Sequence, residues 1–438
     1  MPPLWENWAR QQRCAPAAIQ SPRSEGQLAD LVGRSRGPLK VAGSGHSFSD
    51  VACTDGLMLD LSRMGRVLSV EGELVTVEAG ITLARLGAEL AERGLALENQ
   101  GDIDRQSLAG ALATGTHGTG ARFRNLSANV ASLRLVTSEG EVVELSADSD
   151  PDAWRAARVG LGALGAVSAI ALRCVPQFTV RRVDEPRPLR ETLERLDEHA
   201  DSNDHFELYA FPYTEKALCR FSERSDTPPA PEGDWRLCVQ ERLLENAVLG
   251  GAARCGRLAP ALIPRLNRGI AALAARSVKV DRSHRVYSSR RAVRFTEMEY
   301  AIPRARAREG VERVLELVPR RHLPVGFPIE VRLVAGDDAL LSPAQGRDTC
   351  YVAVHQYVGM EYETYFRAVE SIMDDYGGRP HWGKRHYQSA ATLSPRYPEW
   401  ERFASVRARL DPHGRFANDY TRRVLGEVRC SGGNAGPR

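Results

Sequence analysis

Two glycine-rich runs stand out in the first third of this 438-residue chain. The first is Val41-Ala-Gly-Ser-Gly-His-Ser47 and the second is Thr114-Gly-Thr-His-Gly-Thr-Gly120. Because glycine has no Cβ, consecutive N–H groups in such a run turn inward and line a concave anion site. Two such sites suit the two phosphates of a pyrophosphate. His46 adds a nucleophilic, titratable ring beside the bound group.

A Rossmann dinucleotide site is the obvious alternative, and the spacing does not fit it. Gly43 and Gly45 are followed by Phe48 where that fingerprint needs a third glycine. Residues 49–56 are rich in turn formers and do not open the helix that the fingerprint requires. We therefore predict a different nucleotide-binding fold, in which both glycine runs take part.

Charged residues in the later half of the chain lie within apolar strand patterns. Glu330 and Arg332 are two residues apart, so both side chains project from one face of a strand. Such a pair on an inward face is costly unless the two charges pair or hold a polar ligand. Lys384 follows Trp382-Gly383, a turn that directs an ammonium inward. The alternatives are a structural ion pair and a solvated lysine.

Two histidines outside the first run are further candidates. His355 lies on the strand pattern Val352-Ala-Val-His-Gln356, either as a satisfied core histidine or as a ligand of a polar substrate. His117 lies in the second glycine run, where we interpret it as structural, bonded to backbone or to phosphate. The eight cysteines show no metal-ligand spacing with each other or with histidine, so we predict no metal site and reduced thiols.

The elements that position these residues divide the chain. A helix capped by Ser24, a strand entering the first glycine run, and a hairpin turning at Gly72 predict an α+β unit over roughly the first 178 residues. After Pro176 the pattern changes, with a helix from Pro186 to Leu196 and later strands. The predicted units are residues 1–178, a second domain over 179–410, a returning segment over 411–430, and a disordered tail over 431–438.

The amino-acid composition argues against several classes of function. With 42% hydrophobic and 26% charged residues the chain is typical of a globular protein, and its net charge of +3 argues against nucleic-acid binding. We see no signal peptide and no apolar stretch long enough to span a membrane, and therefore expect a cytoplasmic protein. Residues 247–276, which are apolar but carry Arg254, Arg257, Arg265 and Arg268 among others, predict a layer covering a sheet, with peripheral membrane contact as the alternative.

Four motifs carry a specific resemblance to a known family. They are Gly43–Ser47, Ala113–Gly120, Leu161-Gly-Ala-Leu-Gly165 and His381-Trp-Gly-Lys384. Together they resemble the aldonolactone oxidoreductases, which are FAD flavoproteins of the vanillyl-alcohol-oxidase type. The resemblance runs from Trp8 to about Leu425. It is closest to members acting on L-gulono-1,4-lactone, with alditol oxidases further off.

The resemblance implies a fold and a reaction. The fold is the two-domain, α+β, PCMH-type FAD-binding fold with a C-terminal substrate-cap domain. The implied reaction is oxidation of the C2 hydroxyl of an aldono-1,4-lactone, foremost L-gulono-1,4-lactone to L-ascorbate, by hydride transfer to flavin N5. Electrons then pass to O2, a cytochrome or a quinone.

The resemblance also assigns site residues. His46 corresponds to the histidine to which family members attach the flavin covalently; the alternative is that its ring only hydrogen-bonds the cofactor. The residues implied in catalysis are Glu330, Arg332, Lys384, His355 and Asp102. The residues implied in FAD binding are Gly43, Ser44, Gly45, His46, Ser47, Gly110, Thr114, Thr116, His117, Gly118, Thr119 and Val167.

Two positions depart from the alditol oxidases. Asp102 stands where they carry a small hydroxyl residue, and an anion there suits hydrogen bonds from several sugar hydroxyls. Gly101, lacking a side chain, is expected to leave a path for O2. The alternatives to a lactone oxidoreductase are an alditol oxidase on the same scaffold and a non-catalytic flavin-binding protein that transfers electrons. An enolpyruvyl-sugar reductase fits poorly, since no later segment resembles its substrate domain.

Overall fold

A computed structural model of the protein describes residues 2–229, 249–289 and 293–428. The tail predicted over 431–438 lies outside the described residues, as do the last two residues of the predicted segment 411–430. The described strands are β1 Trp5–Glu6, β2 Arg13–Cys14, β3 Ala18–Gln20, β4 Leu39–Ala42, β5 Leu57–Asp60, β6 Val67–Glu71, β7 Leu74–Glu78, β8 Leu95–Ala96, β9 Val130–Val136, β10 Val142–Ser146, β11 Ala166–Arg173, β12 Val175–Pro176, β13 Thr179–Pro188, β14 His205–Ala210, β15 Lys216–Ser225, β16 Ser277–Arg282, β17 Phe295–Pro303, β18 Ile329–Val334, β19 Thr349–Tyr357 and β20 Arg379–Pro380. The described α-helices are α1 Glu25–Arg34, α2 Leu83–Glu92, α3 Leu108–Ala113, α4 Pro151–Ala157, α5 Leu189–Glu194, α6 Leu196–Ser202, α7 Leu249–Leu258, α8 Ile263–Leu273, α9 Ser283–Tyr287, α10 Ala307–Arg320, α11 Glu363–Asp374, α12 Ala390–Leu393, α13 Trp400–Leu410 and α14 Asp419–Leu425.

The first part of the chain packs two sheets around one core. A parallel sheet has the strand order β3-β5-β4, and an antiparallel sheet has the order β10-β9-β11-β7-β6. The expected caps are present, since the Ser24 and Thr82 side chains accept N–H hydrogen bonds at the starts of α1 and α2. The predicted hairpin turns at Gly72, whose φ of +61° suits glycine. Strand β4 therefore delivers the first glycine run to the edge of this core.

The second part is organised on an eight-stranded antiparallel sheet of order β16-β13-β15-β14-β18-β19-β17-β20. One face is apolar: Ile329, Val331 and Leu333 of β18 pack in a core with residues of α10 and α11. Residues opposite each other in register share a face, so the alternate residues form a second, polar face. This polar face is made of Asp184, Arg220, Glu207, Tyr209, Glu330, Arg332, Tyr351, His355, Glu297 and Glu299.

The helix predicted from Pro186 is a correction. Strand β13 continues to Pro188, and the helix begins at Leu189. Proline has no backbone N–H to donate to a neighbouring strand, so within a sheet it is tolerated mainly where the strand has no neighbour on that side. Strand β16 pairs with β13 only as far as Asp184, so Pro186 and Pro188 lie where no described strand pairs with that side of β13. The prolines account for the error in β13; strands β15 and β16 were not predicted, and their mixed polar and apolar residues show no strict alternation.

The predicted insert over 247–276 forms α7 and α8 from residue 249 onward; residues 247 and 248 lie outside the described ones. Asn267 of α8 donates hydrogen bonds to the carbonyls of Pro212 and Val325, and Ala253 of α7 packs beside Phe327. These contacts support the predicted covering layer. No helix among the described residues has the length and hydropathy that a membrane crossing needs.

The end of the chain returns to the first core. Asn418 donates through its side chain to the carbonyls of Asp50, Val51 and Cys53, and Phe416 is buried in that core. Trp382 and residues of α13 belong to the same core. The boundary at residue 410 stays a prediction, and this packing supports an earlier return, near residue 382.

Lys40 of β4 links its own strand to two distant segments of the chain by hydrogen bonds. Its ammonium donates to the carbonyls of Leu161, Gly162 and Phe416, at 3.3, 3.2 and 3.0 Å. Leu161 has a φ of +53°, a conformation that a non-glycine residue keeps only when its surroundings hold it. Burial, with a further contribution from the charge of Arg407, lowers the pKa of Lys40 from 10.5 to about 7.

We predict that Lys40→Met changes how stability depends on pH. The unfolded chain binds a proton at Lys40 up to its ordinary pKa of 10.5, whereas the folded chain releases it near 7. The unfolded state therefore binds more protons between these values, and this residue makes stability rise with pH across that window, by up to about 1.4 kcal/mol per pH unit. Urea midpoints at pH 7 and pH 9 should rise more in the wild type than in the variant. Lys216→Met, at an exposed site, should follow the wild type; parallel curves for Lys40→Met would contradict the assignment.

Candidate cofactor cavity and the charged face beside it

The first glycine run lines a cavity in the first part of the chain. None of the backbone N–H groups from Gly43 to Ser47 donates a hydrogen bond to an acceptor among the described residues. Gly45 has a φ of +70°, which turns successive N–H groups to one side. Five unpartnered donors on a cavity wall fit a phosphate group, as the sequence predicts. The other predicted cofactor residues on this cavity are Gly110, Thr114 and Val167.

The second glycine run divides between two places. Thr114 lines the same cavity, whereas the structure does not bring Thr116, His117, Gly118 and Thr119 into it. Gly118 and Thr119 border a small polar cavity beside Arg332. Thr119 is held there because its hydroxyl donates to the Phe206 carbonyl at 2.5 Å. A pyrophosphate site made by both runs therefore stays a prediction for these four residues.

Gly101 packs closely against the second run. A Cβ on Gly101 would lie 3.1 Å from the carbonyl oxygen of His117 and 3.1 Å from a methyl group of Thr116. Close packing accounts for this glycine, and the path for O2 at Gly101 stays a prediction.

His46 is half-buried at the mouth of the cavity. Its ring stacks on Trp8 with centroids 5.8 Å apart. Burial, aided by the charge of Lys384, lowers the pKa of His46 to about 4. The imidazole is therefore neutral at physiological pH, the form in which a ring nitrogen is nucleophilic.

The segment from His381 to Lys384 joins the cavity to the polar face. A Cβ on Gly383 would lie 3.3 Å from the hydroxyl oxygens of both Ser47 and Thr114, so this turn packs between the two glycine runs. The Phe48 N–H donates to the Gly383 carbonyl at 2.6 Å. Lys384 is thereby placed beside the cavity, as its motif predicts.

Glu330 and Arg332 contact each other directly, and both are buried. The Arg332 Nε donates to Glu207 at 2.9 Å, and another guanidinium nitrogen lies 3.5 Å from a carboxylate oxygen of Asp102. The structure therefore brings three predicted catalytic residues together and adds Glu207, which the sequence analysis missed. Glu207 also pairs with Arg220 at 3.0 Å, so two guanidinium groups serve these carboxylates. Each carboxylate oxygen can accept more than one hydrogen bond, which suits a ligand rich in hydroxyl groups.

A second cluster adjoins the first. The Lys384 ammonium lies 2.5 Å from Glu297, and the other Glu297 oxygen lies 3.5 Å from Nε2 of His355. His355 Nε2 is also 4.0 Å from Glu330, which links the two clusters. Burial opposes ionisation of Glu297, yet the charge of Lys384 holds its pKa well below the usual range. The sequence analysis missed Glu297; the signal was a pair of acids, two residues apart, in the apolar strand β17.

His117, Glu299 and His381 form a third buried group. Their ligand atoms lie within 4.8 Å of one another, a spacing that a metal ion needs. The existing contacts account for the group without an ion. Nδ1 of His117 lies 2.8 Å from the carbonyl oxygen of Gly118, and its Nε2 lies 3.2 Å from a carboxylate oxygen of Glu299. Nδ1 of His381 accepts a hydrogen bond from the N–H of Gly383. Burial opposes ionisation of Glu299, but His117 holds its pKa at about 2. The structural interpretation of His117 fits these contacts.

Two known families match the chain. The family described as FAD binding domain matches residues 16–146. The family described as D-arabinono-1,4-lactone oxidase matches residues 170–424. The first match contains the unpartnered N–H groups, and the second contains β17, β18 and β19.

Similar proteins cover nearly the whole chain. L-gulono-1,4-lactone dehydrogenase of Mycobacterium tuberculosis is 57% identical over 431 residues, 97% of this chain and 100% of that protein. L-gulonolactone oxidase of Bos taurus is 35% identical, covering 96% and 98%, and an alditol oxidase of a Streptomyces species is 30% identical, covering 96% and 98%. A solvent-stable cholesterol oxidase matches in structure, with a TM-score of 0.81, 16% identity, and 95% and 96% coverage. The last match shows the fold alone. The predicted two-domain FAD-binding fold is confirmed.

We predict that Gly45→Ala weakens FAD binding by about tenfold. A left-handed residue with a Cβ costs about 1 to 2 kcal/mol, and relaxing that strain turns the N–H groups out of the cavity. Gly45→Asn should lose less, since asparagine tolerates a positive φ. Titration of apoprotein with FAD, followed by flavin fluorescence, measures the affinity when every variant also carries His46→Ala, so that binding is reversible. Gly37→Ala, where a Cβ would meet no atom within 4 Å, is the control. Equal affinities for Gly45→Ala and the control would contradict the prediction.

Proposed function

The chain belongs to the D-arabinono-1,4-lactone oxidase family and carries an FAD-binding domain, and we propose that it oxidises the C2 hydroxyl of an aldono-1,4-lactone. L-gulono-1,4-lactone is the foremost candidate, giving a 2-keto lactone that tautomerises to L-ascorbate. One observation carries the proposal: the buried Glu330–Arg332 pair lies with Asp102 on one side and His355 on the other. Bound FAD supplies the two-electron oxidant, accepting a hydride from a C–H bond.

Different residues bind the lactone and stabilise the charges that develop during its oxidation. Arg332 donates to the oxygen that develops negative charge, and Glu330 accepts hydrogen bonds from neighbouring hydroxyls. Asp102 adds a further acceptor, which favours a ligand with hydroxyls on more than one carbon. Lys384 offsets the negative charge that the oxidant gains on reduction.

His355 is suited to accept the hydroxyl proton. Its Nδ1 lies 3.3 Å from the carbonyl of Pro328, and because a carbonyl only accepts, Nδ1 carries the hydrogen. In the neutral ring Nε2 is then the acceptor. This atom is buried and has no hydrogen-bond partner among the described residues. An unused acceptor beside the Glu330–Arg332 pair is the role that a general base needs.

Two properties of the proposed enzyme remain to be measured. We propose that His46 holds the flavin covalently, supported by its neutral ring at the cavity mouth. For the electron acceptor we keep O2, a cytochrome and a quinone as candidates. Rates of re-oxidation of the reduced enzyme by O2, cytochrome c and a soluble quinone rank these three.

We predict that L-gulono-1,4-lactone bleaches the flavin absorbance under anaerobic conditions at least about tenfold more efficiently than xylitol or sorbitol. Lys384→Met should lower the first-order bleaching rate by roughly 100-fold, since it removes a charge from the site where the transition state needs one, while FAD stays bound. Lys216→Met is the exposed-lysine control. A clear preference for an open-chain polyol would favour the alditol oxidase alternative, and unchanged kinetics in Lys384→Met would remove the role given to Lys384.

We predict that acid precipitation of the wild-type protein leaves the yellow colour in the pellet, because the flavin is bonded to His46. In His46→Ala the colour should move to the supernatant. His413→Ala, at an exposed position, should behave like the wild type. Colour in the wild-type supernatant would show instead that His46 only contacts the cofactor.

A further inference from the structure

Glu297 occupies a position that neither the glycine runs nor the substrate-facing pair explains. It is only 5% exposed, and it lies opposite His355 in the β17–β19 ladder. Its two carboxylate oxygens point to different partners: one meets the Lys384 ammonium at 2.5 Å, and the other faces Nε2 of His355 at 3.5 Å. The buried Glu297 carboxylate thus contacts both Lys384, which is proposed to offset negative charge, and His355, which is proposed to accept the substrate proton.

The backbone around Glu297 makes this arrangement rigid. The carbonyl of Glu297 accepts the N–H of Arg385, and the carbonyl of Glu299 accepts the N–H of His381. Strand β17 therefore holds the Lys384 turn on one side while pairing with β19 on the other. The lysine and histidine are fixed relative to the same strand.

The charges explain why a carboxylate is needed here. In the resting state Glu297 is matched by Lys384, and Glu330 is matched by Arg332. A proton arriving at Nε2 of His355 would lie between the two carboxylates, 3.5 Å from one and 4.0 Å from the other. At such distances in a buried site each carboxylate stabilises the imidazolium strongly.

We infer that Glu297 is a positioning residue for the proposed oxidation: its carboxylate fixes the Lys384 ammonium and stabilises the proton that His355 takes from the substrate hydroxyl. The inference rests on the proposed function. In the step concerned the substrate O–H bond breaks and an N–H bond forms at Nε2, while the electron pair of the C–H bond passes to FAD, the oxidant. Glu297 itself touches neither substrate nor cofactor.

The groups that face Glu297 decide how it affects pH dependence. They come from β17 itself, β18, β19 and the Lys384 turn, and they are Glu299, Glu330, His355, His381 and Lys384. His355 must be neutral to act, and Lys384 must be charged. Loss of the negative charge at Glu297 weakens protonation of both, so both limbs of the pH profile move in the same direction.

The test compares Glu297→Gln with Glu299→Gln, a change of the same kind two residues along the same strand. In Glu297→Gln the anaerobic rate of flavin bleaching by L-gulono-1,4-lactone should fall by about 30-fold or more. Its bell-shaped pH profile should move to lower pH by about one unit or more, the size of a close opposite charge. Glu299 pairs with His117 and acts on Lys384 without a direct ion pair, so its replacement should move the profile clearly less than Glu297→Gln does.

Two further readouts separate positioning from folding. A 2-deoxy aldonolactone, which lacks the reacting hydroxyl, should bind Glu297→Gln within about threefold of wild type in calorimetry. Both carboxylates have lowered pKa values, and each therefore adds stability above its ordinary pKa that is lost as pH falls. The two Gln variants should consequently show similar losses in urea midpoint at pH 7. If Glu297→Gln does not fold, Glu297→Asp serves instead: it keeps the charge, so its rate should fall while its pH profile stays in place.

The inference is overturned if Glu297→Gln keeps the wild-type rate and profile, if Glu299→Gln shifts the profile equally, or if Glu297→Asp moves it as far as the amide. A wild-type enzyme whose flavin no lactone bleaches would instead defeat the proposed function itself. The two failures are therefore distinguishable.

Discussion

The matching of buried charges on one face of the eight-stranded sheet is the interaction on which the rest of this structure depends. An ionised side chain removed from water is costly unless an opposite charge and hydrogen bonds surround it. Here Arg332 is shared by Glu330, Glu207 and Asp102, and Lys384 is held by Glu297. The charges come from separate strands, a loop and a turn, so the folded sheet and its neighbours must assemble together for any of them to be satisfied.

This constraint also explains why the functional site is split between two halves of the chain. The FAD-binding half offers unpartnered N–H groups and a neutral His46, which suit a phosphate and a flavin. The other half offers fixed charges, which suit a polyhydroxylated substrate. The turn from His381 to Lys384 packs against Ser47 and Thr114. It therefore sets the distance between the cofactor cavity and the charged face. Mutations that loosen this turn would therefore affect the cofactor and the substrate together.

Local patterns in the sequence were sufficient for part of the site. Glycine spacing singled out the first run, whose N–H groups have no acceptor among the described residues, and the strand period placed Glu330 and Arg332 on one face. Glu297 could not be found in this way, because its role depends on being opposite His355, and β17 and β19 are buried on both faces and give no register signal. The predicted helix began three residues too early, at Pro186, because the prolines at the end of β13 lie beyond the residues that pair with β16, which only the structure reveals. In both cases the error arose because the structure depends on which strands pair in the folded protein, and local sequence does not show this pairing.

The central claim is that the charged face, and not another surface, receives the lactone. The most direct measurement is an experimental structure of the FAD-loaded protein reduced anaerobically in the presence of L-gulono-1,4-lactone. We predict that the ligand lies within hydrogen-bond distance of Glu330 and Arg332, with its C2 oxygen towards Nε2 of His355. A ligand bound elsewhere, with these charges still paired only to one another, would contradict the claim.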